Sequence, residues 1–205
     1  MGVTPRVTYH GLIGWIARRP IEQAVELRPM TLADAGQVLA WRNQPDVARF
    51  MCDDRPITPE QHARWMTDVL ASDTRRYWIV EHRGCARGVI NLADIDWDHR
   101  RCSWGFYLGE PDTAADGTDD RLHMSDALRR VAEIAFIDLQ LDKLCAQVLS
   151  SNERSLALHE RIGFVREGVL RAHVRRTDGV HDLVLLSMLR SEWDARREGA
   201  LEIAR

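Results

Sequence analysis

The stretch from Gly109 to Phe136 has the arrangement of an anion-binding site but not the charge of one. A strand-like run, RCSWGFYL, leads into a loop, and the loop leads into a helix. The free backbone N–H groups of a helix start attract phosphates. The loop and first helical turn, residues 109–126, carry six acidic residues that oppose this attraction, against the single arginine Arg121. The acids are Glu110, Asp112, Asp116, Asp119, Asp120 and Asp126. The position favours an anion, whereas its charge repels one.

Arg42 and Asn43 form a second candidate site at the end of an amphipathic helix. A guanidinium group can hold a diphosphate through two parallel hydrogen bonds. The competing interpretation is an exposed cation that complements the helix dipole. Both interpretations stay open on these residues alone.

A short helix in SNERSLALHERIGF carries two further polar candidates. Asn152 stands where a helix cap is expected, and Gly163 stands where the helix should end. His159 lies between them. A histidine with a pKa near 6.5 can donate a proton when it is charged. The alternative is a half-buried histidine that hydrogen-bonds locally.

The elements that must position these residues follow from hydrophobic spacing and turn signals. Thr58 and Pro59 indicate a helix start. The hairpin tip RRTDG is expected to be solvated. The predicted order is strand (AVELRPM), helix (TLADAGQVLAWRNQP), helix (ITPEQHARWMTDVLAS), two strands joined at Arg83-Gly84 (RYWIVEHRGCARGVINLADID), strand (RCSWGFYL), helix (Met124 to Leu139), strand (KLCAQVLS), helix (SNERSLALHERIGF) and two strands joined at Asp178-Gly179 (EGVLRAHVRRTDGVHDLVLLSML).

This order predicts an α/β (α+β) domain with a mixed, mostly antiparallel sheet of about seven strands flanked by helices. The chain has 205 residues, of which 45% are hydrophobic, enough for one sizeable core. The net charge of −3 argues against nucleic-acid binding. No apolar run is long enough for a membrane span. The four cysteines form no CxxC pair, so we expect reduced thiols in a cytoplasmic protein and no metal site.

The segment NERSLALHERIGFVREGVLR resembles the acyl-CoA-binding half of the GCN5-related N-acetyltransferase (GNAT) superfamily. The family pattern falls here on Asn152, Ser155, His159, Arg161, Gly163 and Phe164. The resemblance covers about residues 25–194 and implies an acetyl-CoA-dependent enzyme without a metal. It leaves residues 1–24 as an N-terminal extension and 195–205 as a tail. Relatives often pair, so a homodimer is compatible with it.

The resemblance also implies which residues contact the cosubstrate. Asn152 and Ser155 would bind the pantetheine arm, beside Phe106 and Leu108 of the preceding strand. The phosphate loop aligns on DGTDDR, where Gly117, Thr118 and Arg121 would face the pyrophosphate. Acids replace the usual small and basic residues there, which predicts weakened CoA affinity.

His159 and Gln147 occupy the two positions where the family is expected to carry its catalytic groups. His159 occupies the position of the family's tyrosine acid, where it would protonate the departing thiolate. Gln147 falls where relatives often carry a glutamate, and an amide cannot act as a base. Deprotonation of the acceptor amine would then fall to water or to another group, such as His62 or Asp94.

The N-terminal half resembles the nucleotide-sugar acetyltransferases of pseudaminic acid synthesis. That likeness implies a UDP-linked 4-amino-4,6-dideoxy sugar as the acceptor. The implied contacts are Arg42, Asn43, Met51, His62, Trp65 and Tyr107. Two alternatives stay open: a ribosomal-protein N-terminal acetyltransferase, and a degenerate member that binds CoA weakly without turnover.

Overall fold

A seven-stranded sheet forms the centre of the protein. The computed structural model describes residues 25–110 and 124–203. In the sheet the strands lie in the order β1-β2-β3-β4-β5-β7-β6. The strands are β1 (Val25–Pro29), β2 (Arg76–His82), β3 (Cys85–Asp96), β4 (Arg101–Leu108), β5 (Lys143–Leu149), β6 (Val165–Arg176) and β7 (Gly179–Leu189). The predicted strands and their number are confirmed.

Strands β4 and β5 are the parallel pair in this sheet, and they pair only at one end. Three residues of β4, Arg101 to Ser103, are matched with Lys143 to Cys145 of β5. Beyond Ser103 the two strands diverge, while β4 stays paired with β3 and β5 stays paired with β7. The sheet therefore opens into a cleft between its two halves.

Helices cover both faces of the sheet. The helices are α1 (Ala35–Arg42), α2 (Pro45–Ala48), α3 (Pro59–Leu70), α4 (Met124–Glu133), α5 (Glu153–Ile162) and α6 (Arg190–Ile203). Helix α4 continues into a wider turn over Ile134–Asp138. Thr58 caps α3 by accepting a hydrogen bond from the Gln61 amide, with Pro59 at the first helical position.

Alternation along the strands divides the core into two layers. In β3, Ile90 packs in the larger layer with α4, α5 and α6, whereas Val89 packs in the smaller layer with α1 and α3. Fully burying each such side chain contributes roughly 1.5–3 kcal/mol. The two layers fix the helices that border the cleft.

Three features differ from the predicted elements. Helix α6 has no predicted counterpart and runs across the expected boundary between residues 194 and 195. Pro45 opens the short helix α2 rather than only ending the helix before it. Most of the β6–β7 tip is exposed as predicted, but the Arg176 side chain is only 4% exposed and is not solvated. Contacts with segments distant in sequence account for α6 and Arg176, whereas Pro45 takes the first helical position by a local preference.

Candidate active site

A cavity of about 1220 Å³ occupies the cleft where β4 and β5 diverge. Helices α1, α2, α3 and α5 and strands β2 to β5 supply residues to its wall. Eleven of the predicted site residues line it. They are Arg42, Met51, His62, Trp65, Phe106, Tyr107, Leu108, Gln147, Asn152, Ser155 and His159. Gly117, Thr118 and Arg121 lie outside the described residues.

The facing edges of β4 and β5 are free of strand pairing where they border the cavity. In β4 this edge runs from Trp104 to Leu108, and in β5 from Ala146 to Leu149. An unpaired edge presents backbone donors and acceptors that can pair with an extended chain. The cleft is therefore suited to an elongated ligand that contains amides.

Helix α5 and its cap place Asn152 and Ser155 on the wall next to β5. The Asn152 Oδ1 atom accepts a hydrogen bond of 3.1 Å from the Ser155 amide, so Asn152 caps the helix as predicted. Gly163 ends the helix in the left-handed conformation, at a φ of 114°. A side chain there is strained, and it would also meet the Arg196 guanidinium.

His159 lies one turn further along α5, and its ring is almost fully buried. The Nδ1 atom is 2.7 Å from the Ser155 carbonyl oxygen. A carbonyl can only accept, so Nδ1 carries the hydrogen and Nε2 carries the lone pair in the neutral ring. Aromatic rings of Trp104 and Phe164 stand edge-on at 5.2 and 5.1 Å. Burial lowers the pKa of His159, so the neutral form prevails at pH 7.

On the opposite wall, the guanidinium of Arg42 is only partly hydrogen-bonded. One nitrogen, Nη2, donates to the Asp53 carbonyl at 2.5 Å, whereas the buried Nη1 has no hydrogen-bond partner. Burial lowers the pKa of the guanidinium and raises the pKa of the nearby Tyr107 phenol. A buried donor without a partner is costly, and an anionic ligand would remove that cost.

His62 is the second polar group on this wall without a partner. It is 4% exposed, and its Nε2 atom is buried without a hydrogen bond. The ring lies 5.1 Å from that of Trp65, which stands edge-on to Tyr77 at 5.3 Å. Burial lowers the pKa of His62, so the ring is neutral at pH 7 and can accept a proton.

Asn43 is the one predicted contact of the described chain that does not line the cavity. Its amide donates to the Ile57 carbonyl and accepts from the Ile57 N–H, both at 2.9 Å. Each polar atom of the amide therefore has one partner in the loop between α2 and α3, which Asn43 helps to position. Its contact with a substrate stays a prediction.

Gln147 and Asp94 differ in their relation to the cavity. Gln147 is an exposed residue of β5 on the cavity wall. Asp94 is exposed in an irregular part of β3 and is absent from that wall. Among the candidates for the base, His62 is the one whose side chain lines the cavity.

A family comparison agrees with this architecture. Residues 24–165 match the family described as "Acetyltransferase (GNAT) domain". The chain belongs to the GNAT family. The predicted acyltransferase enzyme is thereby confirmed, together with the superfamily and its fold.

The names of two similar proteins state different acceptors, and that of a third states none. The Bacillus subtilis protein YdaF, provisionally named a ribosomal N-acetyltransferase, is 30% identical over 56% of this chain, which spans 59% of that protein's length. The acetyltransferase PseH of Campylobacter jejuni is 27% identical over a region that covers 62% of this chain and 74% of the length of PseH. A crystal structure of Vibrio cholerae spermidine N-acetyltransferase with CoA and spermine superposes with a TM-score of 0.73 at 19% identity, covering 82% of this chain and 97% of that one.

Both cationic and anionic side chains line the cavity of this GNAT protein. Four arginines of the described chain line it, together with three carboxylates whose partners are known. Asp53 pairs with Arg55, Asp46 pairs with Arg49, and the Glu110 carboxylate accepts from the Trp41 indole. The lining arginines are Arg42, Arg49, Arg55 and Arg154. The same ion pairs occupy Arg49 and Arg55, so the wall carries four arginines against three carboxylates, an excess of one positive charge.

Sequence reasoning missed the contact that fixes the end of β4. The Trp41 Nε1 atom donates to Glu110 at 2.8 Å. A Cβ atom on Gly109 would come within 1.9 Å of the Trp41 ring, so only glycine fits. Glu110 was counted among the acids that repel a phosphate, but its carboxylate instead ties the start of the acidic loop to α1. Nothing in the local sequence indicates this pairing.

Within the described residues, no helix is long and apolar enough to cross a membrane. Nor do His, Cys, Asp and Glu side chains gather there in groups of three that could hold a metal ion.

Proposed function

We propose that this GNAT enzyme transfers the acetyl group of acetyl-CoA to the amino group of a nucleotide-linked amino sugar, such as a UDP-linked 4-amino-4,6-dideoxy sugar. The observation that carries the proposal is the buried Arg42 Nη1 atom, which has no partner, on a cavity wall with an excess of arginines. A diphosphate supplies the oxygen acceptors that this group lacks.

Acetyl-CoA fits the other side of the cleft. The pantetheine arm is a narrow chain with two amides, which can pair with the free edges of β4 and β5. Asn152, Ser155, Phe106 and Leu108 line this part of the cavity. These contacts support the predicted cosubstrate-binding residues without using the acidic loop.

A polyamine acceptor agrees less well with the same wall. Polyamines need free carboxylates, and the lining acids Asp46, Asp53 and Glu110 already accept from cations or an indole N–H. A polyamine beside the positive charge of Arg42 would be repelled. The spermidine relative therefore supports the fold more than the acceptor.

Proton transfer is assigned to the two buried histidines. Neutral His62, with Nε2 free to accept, is the proposed base for the acceptor amine. His159 remains the proposed proton donor for the thiolate. Its Nδ1–H is already given to Ser155, so the donation must come from Nε2 of the charged ring, which is the minor form at pH 7. Holding both substrates in one cleft supplies much of the remaining rate.

A panel assay tests the proposal. Release of free CoA thiol is followed with acetyl-CoA and one of three acceptors: the UDP-linked amino sugar, spermidine, or a ribosomal-protein N-terminal peptide. We expect turnover with the amino sugar. Preference for the peptide would favour the protein-acetylating alternative.

Calorimetric titration with acetyl-CoA separates an enzyme from a binding module. Binding with turnover supports the proposal, whereas binding without turnover on any acceptor supports a degenerate module. No binding at physiological concentrations of acetyl-CoA contradicts the proposal altogether.

A further inference from the structure

The tip of the β6–β7 hairpin contacts the α2–α3 loop from across the cleft. The hairpin belongs to the half of the sheet that contains β5, and the loop belongs to the half that contains β1 to β4. Leu149, the last residue of β5, pairs with Leu183 of β7, so the tip at 176–179 extends beyond the open end of β5. The halves also meet at the paired start of β4 and β5 and in the shared core, where Trp104 stacks on Phe164, so the tip adds a contact beyond the open end of β5.

Arg176 makes the principal contacts at the tip. Its Nη1 atom donates to the Met51 carbonyl at 2.5 Å and reaches the Ala48 carbonyl at 3.5 Å. Its Nε atom donates to Asp178 at 3.1 Å, and Nη2 lies 3.7 Å from the Asp54 carboxylate. The side chain is 4% exposed, so this guanidinium is inserted rather than solvated.

Thr177 adds a second attachment to the same loop. Its amide donates to the Asp54 carboxylate at 3.2 Å, and its hydroxyl donates to the same group. The hydroxyl is the main cause of the lowered pKa of Asp54, so the carboxylate stays charged at neutral pH. The acid that the tip binds is itself only 10% exposed.

None of the three residues Asp54, Arg176 and Thr177 lines the cavity, but two neighbours in the same loop do: Met51, whose carbonyl accepts from Arg176, and Asp53, which directly precedes Asp54. The Asp53 carbonyl is the acceptor that orients Arg42 Nη2. A displacement of this loop would therefore move both the wall and the guanidinium that faces the cavity.

We propose that Arg176 and Thr177 are positioning residues for the acceptor half of the active site. They hold the loop at residues 51–54 from the far side of the cleft, and the loop in turn holds Arg42. The cosubstrate half, built on β4, β5 and α5, does not depend on them. This inference rests on the proposed function in placing the acceptor beside Arg42.

The test compares four variants: Arg176→Ala, Thr177→Val, Arg176→Lys and, as the matched control, Arg175→Ala. Arg175 is an exposed arginine of the same strand outside the cavity wall. Hydrogen–deuterium exchange of the segment 51–57 is measured first, since it needs no substrate. Steady-state kinetics then give separate KM values for the acceptor and acetyl-CoA.

We expect faster exchange in 51–57 for Arg176→Ala and Thr177→Val, and unchanged exchange in β5. The acceptor KM should rise roughly tenfold, the effect of one lost hydrogen bond to a charged group. The KM for acetyl-CoA should stay within about twofold of the parent value, since a purely structural defect would affect both. Arg176→Lys should give an acceptor KM between those of the parent and Arg176→Ala, because an ammonium lacks the planar set of N–H donors of a guanidinium.

Unchanged exchange in 51–57 would overturn the proposal, as would equal increases in both KM values. Faster exchange with an unchanged acceptor KM would also overturn it. If Arg176→Ala does not fold, Thr177→Val decides the matter. If no acceptor of the panel is acetylated, the proposed function fails and the exchange measurement still judges the attachment of the loop.

Discussion

Replacing Arg42 by alanine removes the one guanidinium of the cavity wall that is buried with a nitrogen lacking a partner. In the free protein the change breaks a single hydrogen bond, from Nη2 to the Asp53 carbonyl. We expect a loss of about 1 kcal/mol in the free energy of unfolding, the usual net value of such a bond. Removing the unsatisfied Nη1 offsets part of that loss.

The effect on catalysis should be larger than the effect on folding. A hydrogen bond between a guanidinium and a phosphate is worth about 1.5–3 kcal/mol. This corresponds to a fall of roughly 10- to 150-fold in kcat/KM for a nucleotide-linked acceptor. Acetyl-CoA contacts the other wall, so its KM should not change.

The assay is thiol release under steady-state conditions, with thermal unfolding of each variant as a check on folding. Arg64→Ala is the matched control, since Arg64 is an exposed arginine of α3 that does not line the cavity. A fall of less than about twofold in kcat/KM for Arg42→Ala would refute the reasoning. An equal fall for Arg64→Ala would refute it as well, because a general charge effect would then suffice.

Four further outcomes follow from the geometry. The pKa of His62 is lowered below 6.5, so the acid limb of the kcat/KM profile should lie below pH 6.5, and His62→Gln should abolish this limb and reduce the maximum of kcat/KM by about 10²-fold or more. His159→Ala should slow acetyl transfer by roughly tenfold or more in single-turnover measurements, and an unchanged rate would reject the acid role. Burial also lowers the pKa of His159, so as pH falls the unfolded chain binds a proton at a higher pH than the folded protein does. The free energy of unfolding should therefore decrease below pH 6.5, and His159→Gln should reduce this pH dependence in denaturant titrations. Gly109→Ala should lower the unfolding midpoint, because the new methyl group collides with the Trp41 ring, whereas Asn43→Ala should loosen the α2–α3 loop in hydrogen exchange and leave the unfolding midpoint less affected.

Local signals predicted most elements of the fold. The cap at Thr58, the cap at Asn152 and the left-handed Gly163 each depend on residues within four positions, which the sequence displays directly. The Asp178-Gly179 turn was likewise readable. Helix α6 was missed because its one inward aromatic residue, Trp193, packs against Phe136, a residue distant in sequence.

The candidate site was predictable where a motif supplied the residue types, and not where roles depend on partners. Asn43 was expected to contact substrate, yet its amide is matched to Ile57, fourteen residues away. Arg176 was expected to be solvated, yet it binds a carbonyl 125 residues earlier. Spacing within one segment carries no information about such pairs.

The competition between two acceptors tests the central claim most directly. The kcat/KM for acetylation is measured with acetyl-CoA for a UDP-linked 4-amino-4,6-dideoxy sugar and for spermidine, under the same conditions. The cationic wall and its engaged carboxylates predict a higher kcat/KM for the nucleotide sugar, with the preference reduced in Arg42→Ala. A higher kcat/KM for spermidine, or a preference that Arg42→Ala leaves unchanged, would contradict the account.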